Sequence, residues 1–318
     1  MLSRIFGGVR PGVTSIKLAV SDEHDAVVMA ADVYAPRQLT DKSVVLICMA
    51  GGNTTRGYFN LTGSAGGAQN FAYSMTALGH IVVAIEPVGV GDSTIPEDGF
   101  SVTIEAEAEY VRRATERVRQ MTVSGAPLSQ RRIIGLGHSA GSLVMGAAQG
   151  RFHCFDAVVL LGFSTRGMPD VLPPDVLAAI SANPAGARAI LPPLVKQMFG
   201  GAAYFPPQPD EDTENGRLLR RIRAPWPAML GALAIIPGNI APEVAAITSP
   251  VFVGVSEHDI VGPAHEIGAA FTACPDYTLF IIPGASHEIM VAEQIGALYR
   301  RLDAWLPAVA ARGSRPER

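Results

Sequence analysis

The sequence predicts an α/β fold: a mostly parallel, eight-stranded sheet with helices on both faces and one inserted helical segment. Three observations predict it. Short apolar runs alternate with helix-length segments, which implies parallel strands joined by right-handed crossovers. The innermost runs are apolar throughout, as strands covered on both faces are. The alternation lapses from about 165 to 248, too long for a loop, and then resumes.

Residues 15–20 and 26–34, separated by a polar turn, read as an antiparallel edge hairpin. Residues 43–50 form the next strand and run into Gly51-Gly52-Asn53-Thr54-Thr55; 63–78 supplies a helix. Residues 81–85 are a buried strand leading into the Gly-rich loop 86–93. That loop lacks the G-x-G-x-x-G order and does not follow the first strand, which argues against a phosphate cradle. Residues 101–120 form an amphipathic helix with Ile104, Ala108, Val111, Ala114 and Val118 on one stripe and Glu and Arg on the other faces. Strands at 133–137 and 157–163 flank a helix at 140–149.

The segment 165–248 is rich in proline and alanine, with an acidic loop at 210–214 and an apolar run at 225–236 that could roof a site. Strands follow at 250–255 and 277–282, then a closing helix at 288–306. Pro307 is expected to end that helix and the tail to fray. The layout is therefore a core at 1–164, a helical cap at 165–248, the rest of the core at 249–306 and a flexible tail at 307–318.

With 318 residues and a net charge of −4, the chain has no basic cluster denser than Arg220-Arg-Ile-Arg223, which argues against nucleic acid as a partner. Cys48, Cys154 and Cys274 lie in apolar surroundings without C-x-x-C spacing, which predicts buried thiols in a reducing compartment and no cysteine metal site. Residues 1–10 lack the apolar core of a signal peptide, and no proline-free apolar run is long enough to span a bilayer, so the expected location is cytoplasmic. No cofactor is implied. The expected partner is a small molecule rather than a membrane, and a homodimer is admitted.

One stretch organises the chain. Gly137-His138-Ser139-Ala140-Gly141 fits G-x-S-x-G at a joint between strand and helix, where glycines flank the serine because the turn is sharp. The competing reading makes Ser139 a helix N-cap. Two further residues end strands at the same edge of the sheet, where ligands collect: Asp259 and His287. A serine hydroxyl needs a base, an imidazole suits that task near neutrality, and a carboxylate on the far nitrogen fixes its tautomer. Glu257 is a competing acid. Asp156 and Asp170 flank the strand at 157–163 without sitting at its carboxyl end, and His258 is expected at the surface.

The elbow, the order Ser-Asp-His and the strand placement resemble the α/β-hydrolase family over roughly residues 15–164 and 249–306; the loop 86–93 also looks like the family's Gly-rich loop. The resemblance implies Ser139 as nucleophile, Asp259 as acid and His287 as base. It also implies an oxyanion hole from the Ala140 N–H and from the loop after the early strand. There Gly52 is the expected donor, with Gly51 giving room, and Gly51 and Asn53 remain alternatives; Ala50 stands where the family often has histidine. The implied activity is hydrolysis of a carboxylic ester through an acyl-enzyme. Lactone, thioester, amide and carbon–carbon bond cleavage stay open, as does a ligand sensor on the same fold. Serine at 139 argues against haloalkane or epoxide hydrolysis. Arg56, Tyr58, His138 and Trp226 are candidate substrate contacts, together with Tyr204 and Phe205.

Overall fold

A computed structural model describes residues 12–22, 27–63, 70–198, 200–207 and 212–311. The sheet has eight strands: β1 (Gly12–Ala19), β2 (Val28–Ala35), β3 (Val45–Met49), β4 (Ile81–Ile85), β5 (Ile133–His138), β6 (Ala157–Leu161), β7 (Val251–His258) and β8 (Tyr277–Ser286). Their order is β1-β2-β4-β3-β5-β6-β7-β8. β2 pairs antiparallel with β1 and with β4, and every other neighbouring pair is parallel.

Every residue of β3, β4, β5 and β6 is buried, so both faces of the central sheet must be covered. Side chains alternate between them. Val45, Ile47 and Met49 face a core shared with α2 (Ile104–Arg119) and α3 (Ala140–Phe152), whereas Leu46 and Cys48 face one shared with α1 (Phe71–Ala77) and α9 (Ile295–Ala311). Between β6 and β7 the chain carries α4 (Pro174–Ala182), α5 (Leu191–Met198), α6 (Glu214–Arg220), α7 (Ala228–Leu233) and α8 (Ala241–Ala245). Within this insertion Tyr204–Phe205 pairs antiparallel with Trp226–Pro227, and α8 packs back on α3.

Several expectations need correction. α9 does not stop at Pro307 but runs through it to Ala311. An interior proline costs about 3 kcal/mol, and burial of Leu306 and Val309, 0% and 4% exposed, offsets it at about 1.5–3 kcal/mol each. Glu107 lies on the buried stripe of α2 rather than on an outer face: positions 104, 107, 108 and 111 share one side of a helix. Cys48 is buried, but Cys154 and Cys274 are only half-buried; all three are free thiols. The helix expected at 63–78 is found as Phe71–Ala77; residues 64–69, the N-terminal 1–11, most of the polar turn between the first two strands (23–26), residues 208–211 with the start of the acidic loop, and the tail 312–318 lie outside the described residues. Among the described residues no helix is long and apolar enough to cross a membrane.

Candidate active site

Ser139 stands between β5 and α3 with φ 52° and ψ −121°, a conformation that costs a non-glycine residue energy unless its surroundings enforce it. Here they do. The Ser139 N–H donates to the Leu161 carbonyl at 2.8 Å, and the Ser142 hydroxyl donates to that same oxygen at 2.8 Å. A Cβ on Gly137 would fall 2.4 Å from Ser142 Cα, and one on Gly141 2.4 Å from the carbonyl oxygens of Met49 and Ala50, so both flanking positions must be glycine. The N-cap reading fails, because the Ser139 side chain makes no capping bond.

Its hydroxyl instead donates to His287 Nε2 at 2.9 Å. His287 Nδ1–H donates to Asp259 Oδ1 at 2.6 Å, and the other carboxylate oxygen accepts the Ser256 N–H at 3.0 Å. The Asp259 side chain is 2% exposed. Burial works to raise its pKa, but the bonds from His287 and Ser256 outweigh it and hold the carboxyl below its ordinary range. β5, β7 and β8 thus deliver three side chains into one hydrogen-bonded series at the carboxyl edge of the sheet, an arrangement through which a hydroxyl proton can pass to an imidazole.

The rival acids are engaged elsewhere. Glu257 is exposed and accepts the Gly284 N–H at 2.8 Å, and its neighbour His258 is exposed too. Asp156 pairs with Arg132 at 2.9 Å, and Asp170 with Arg166 at 3.7 Å.

The loop after β3 reaches the same point. A Cβ on Gly51 would lie 2.9 Å from Ser139 Cβ, whereas Gly52 faces open space. Neither the Gly52 N–H nor the Ala140 N–H, at the first position of α3, meets an acceptor among the described residues. Asn53 follows at φ 59°. This loop is bonded to the insertion: the Thr55 N–H donates to Ile222 at 2.9 Å, the Ala224 N–H to Asn53 at 3.1 Å, and Thr54 bridges Arg223. Arg223 Nη2 in turn donates to Glu288, next to His287, at 3.0 Å. Sequence reasoning placed Asn53 only among the alternative oxyanion donors and Arg223 only in the basic cluster at 220–223; their bonds between loop, insertion and Glu288 were missed, and the available signal was an asparagine after two glycines, a residue type that tolerates positive φ.

A cleft opens beside Ser139 and His287. Leu143, Phe163, Met168, Ala234, Ile260 and Val261 give it an apolar lining, joined by Gly162, Ser164 and Gly167, and it holds about 380 Å3 free of protein atoms, part of it open to solvent. None of the lining side chains carries a formal charge except His287 when protonated.

The four candidate substrate contacts are not among this lining. Arg56 contacts Asp32 at 3.0 Å, Glu86 at 2.7 Å and Asp92 at 2.9 Å, tying β2 to the Gly-rich loop. Tyr58 is fully buried, stacked on His138 with its hydroxyl accepting the Met290 N–H at 3.3 Å. His138 is buried as well, and Trp226 is fully buried in the insertion. Tyr204 donates its hydroxyl to Pro96, and Phe205 packs over Gly231. The reason is common to these rings: each gains more by leaving water against a packed neighbour than by lining an open cleft.

Comparison with known proteins agrees with this fold. The model of the alpha/beta hydrolase family matches residues 45–300. No curated protein sequence matches the chain. Solved structures with similar folds include a thermophilic esterase from Thermogutta terrifontis, at 16% identity and TM-score 0.60, covering 94% of this chain and 100% of that one. A monoacylglycerol lipase from Paleococcus ferrophilus is similar at 15% identity and TM-score 0.60, covering 94% and 99%. A proline iminopeptidase from Mycobacterium smegmatis is similar at 17% identity and TM-score 0.59, covering 93% and 99%. With the family model spanning most of its length, this chain is an enzyme of the alpha/beta hydrolase family.

Proposed function

We propose that the protein is a serine hydrolase that cleaves a carboxylic ester of a moderately apolar small molecule through an acyl-enzyme on Ser139. The observation that carries this reading is the series Ser139 Oγ to His287 Nε2 at 2.9 Å and His287 Nδ1 to Asp259 Oδ1 at 2.6 Å. Ser139 Oγ attacks the carbonyl carbon while its proton passes to His287 Nε2, and Asp259 stabilises the imidazolium that forms. The N–H groups of Gly52 and Ala140 hold the oxyanion, with Gly51 leaving the room that a side chain would fill. Collapse breaks the ester bond, and the departing alkoxide takes the proton from His287. Water, deprotonated by the same ring, then frees the acid and restores Ser139.

The apolar, uncharged lining of the cleft suits a hydrocarbon group of the substrate. Because Met168 and Ala234 of that lining belong to the insertion, we assign residues 165–248 the role of a cap over the site. The test is a panel of p-nitrophenyl acyl esters, lactones and thioesters offered to wild type and Ser139→Ala. Turnover of an ester, with loss of about 10³-fold or more in kcat on substitution, supports the reading. A loss below about tenfold is incompatible with covalent catalysis by Ser139.

A further inference from the structure

His138 precedes Ser139 yet turns its ring away from the cleft and into the core, where it is 2% exposed. Three neighbours enclose it. Tyr58 stacks on it with ring centroids 4.8 Å apart, the His287 ring lies tilted at 5.0 Å, and a Cβ on Gly51 would sit 3.0 Å from its Nδ1. Its Nε2 stands 2.8 Å from the main-chain carbonyl oxygen of His287.

The Tyr58 hydroxyl also stands 3.5 Å from Nε2, but the carbonyl is nearer and can only accept, which favours one tautomer. With the proton on Nε2, a donor meets an acceptor. With the proton on Nδ1, a lone pair would face the carbonyl oxygen at 2.8 Å, and a buried N–H would be left with no acceptor among the described residues. Burial, and after it the neighbouring His287, push the His138 imidazole down to about 4, so the ring stays neutral near neutral pH. A charged ring there would repel the imidazolium that forms on His287 during proton transfer.

We propose that His138 is a positioning residue for the base: its Nε2–H grips the His287 carbonyl and thereby sets where the His287 imidazole stands relative to Ser139. The proposal rests on the reading of His287 as base. Because His138 is bonded through the chain to Ser139, the nucleophile and the segment holding the base move together, and the reach from Oγ to Nε2 is held. Tyr58 keeps the His138 ring in plane for this contact, and its hydroxyl accepts the Met290 N–H three residues beyond His287.

The test compares full-length wild type, His138→Leu and His138→Gln in hydrolysis of a p-nitrophenyl acyl ester, with thermal unfolding of each. Leucine has similar bulk and no donor, while the glutamine amide can donate from near the place of Nε2. The leucine variant is expected to lose about 10- to 100-fold in kcat, since a displacement of about 1 Å costs about 10²-fold. KM should stay within about threefold, because substrate binding is not touched. The glutamine variant is expected to recover most of that loss. A folded leucine variant with kcat within about twofold of wild type, a loss confined to KM, or a folded glutamine variant no better than leucine would overturn the proposal.

Ring nitrogen NMR of the wild-type protein needs no variant to fold: Nε2 protonated and Nδ1 unprotonated near neutral pH supports the contact, and the opposite tautomer overturns it. A wild type that hydrolyses none of the esters and is not labelled at Ser139 by a phosphonate removes the reading of His287 as base, and the proposal with it. That outcome differs from an active wild type with an indifferent leucine variant, which sinks the positioning role alone.

Discussion

Asn53 and Ala224 hold each other in both directions: the Ala224 N–H donates to the Asn53 carbonyl at 3.1 Å, and Asn53 Nδ2 donates to the Ala224 carbonyl at 3.3 Å. A second bond from Nδ2 reaches the Pro206 carbonyl at 3.4 Å. The insertion is thereby fastened to the residue after Gly52, and Asn53 is kept at φ 59°. Asn53→Ala removes the side-chain bonds and retains the strain, so it should destabilise the fold by about 1–3 kcal/mol. Asn53→Gly also loses the bonds but accepts the conformation freely, and should cost less. Thermal unfolding gives the order. Because the Gly52 N–H is the proposed oxyanion donor, kcat of Asn53→Ala should also fall more than KM rises.

Asp259 accepts from both His287 and the Ser256 amide, and the proposed mechanism needs its negative charge more than its shape. Asp259→Asn keeps the shape, removes the charge and disturbs the tautomer of His287. The expected loss in kcat is about 10⁴-fold, with KM little changed. Steady-state kinetics on the best ester of the panel checks this, and a loss of only a few fold would contradict the role given to the carboxylate.

Glu107 is fully buried in α2; one oxygen accepts the Val88 N–H at 3.2 Å, and the other has no partner among the described residues. Burial pushes its carboxyl up to about 8, partly opposed by the Val88 bond. The folded chain therefore holds a proton that the unfolded chain releases between about pH 4.5 and pH 8. The stabilisation is fully present below that window and is lost as pH rises through it. Glu107→Gln mimics the protonated acid at every pH. Its melting temperature should match that of wild type near the bottom of the window and exceed it by several degrees at the top, and parallel curves would refute the assignment.

Ala234 lines the cleft from the insertion, and Leu143 and Phe163 line it from the core. Ala234→Phe fills part of the space without adding charge. If the cleft holds the hydrocarbon group of the substrate, the ratio of kcat/KM for an octanoyl ester over an acetyl ester should fall by about tenfold or more, since each methylene in an apolar pocket is worth about 10-fold upward. Initial rates on the two p-nitrophenyl esters measure it directly. An unchanged ratio would place the chain outside this cleft.

The sequence by itself determined the sheet and the residues at its edge. Uniformly apolar runs such as 45–49 and 81–85 can be satisfied only by burial on both faces; Ser139 follows one of them, and Asp259 and His287 lie just past the last two strands, so the strand order placed all three at one rim. What only the tertiary structure decided was which partner each remaining polar group found. Periodicity tells which side of a helix faces the core, but it did not reveal that Glu107 shares that side, or that α9 would carry Pro307 because Leu306 and Val309 are packed beyond it. Arg56, Tyr58, His138 and Trp226 look like binding residues by type and place in the chain. The fold spends them on ion pairs, stacking and burial instead. The bond between Asn53 and Ala224 joins residues 171 positions apart, and nothing local encodes it: a hydrogen bond is chosen by what stands within about 3 Å once the core has closed.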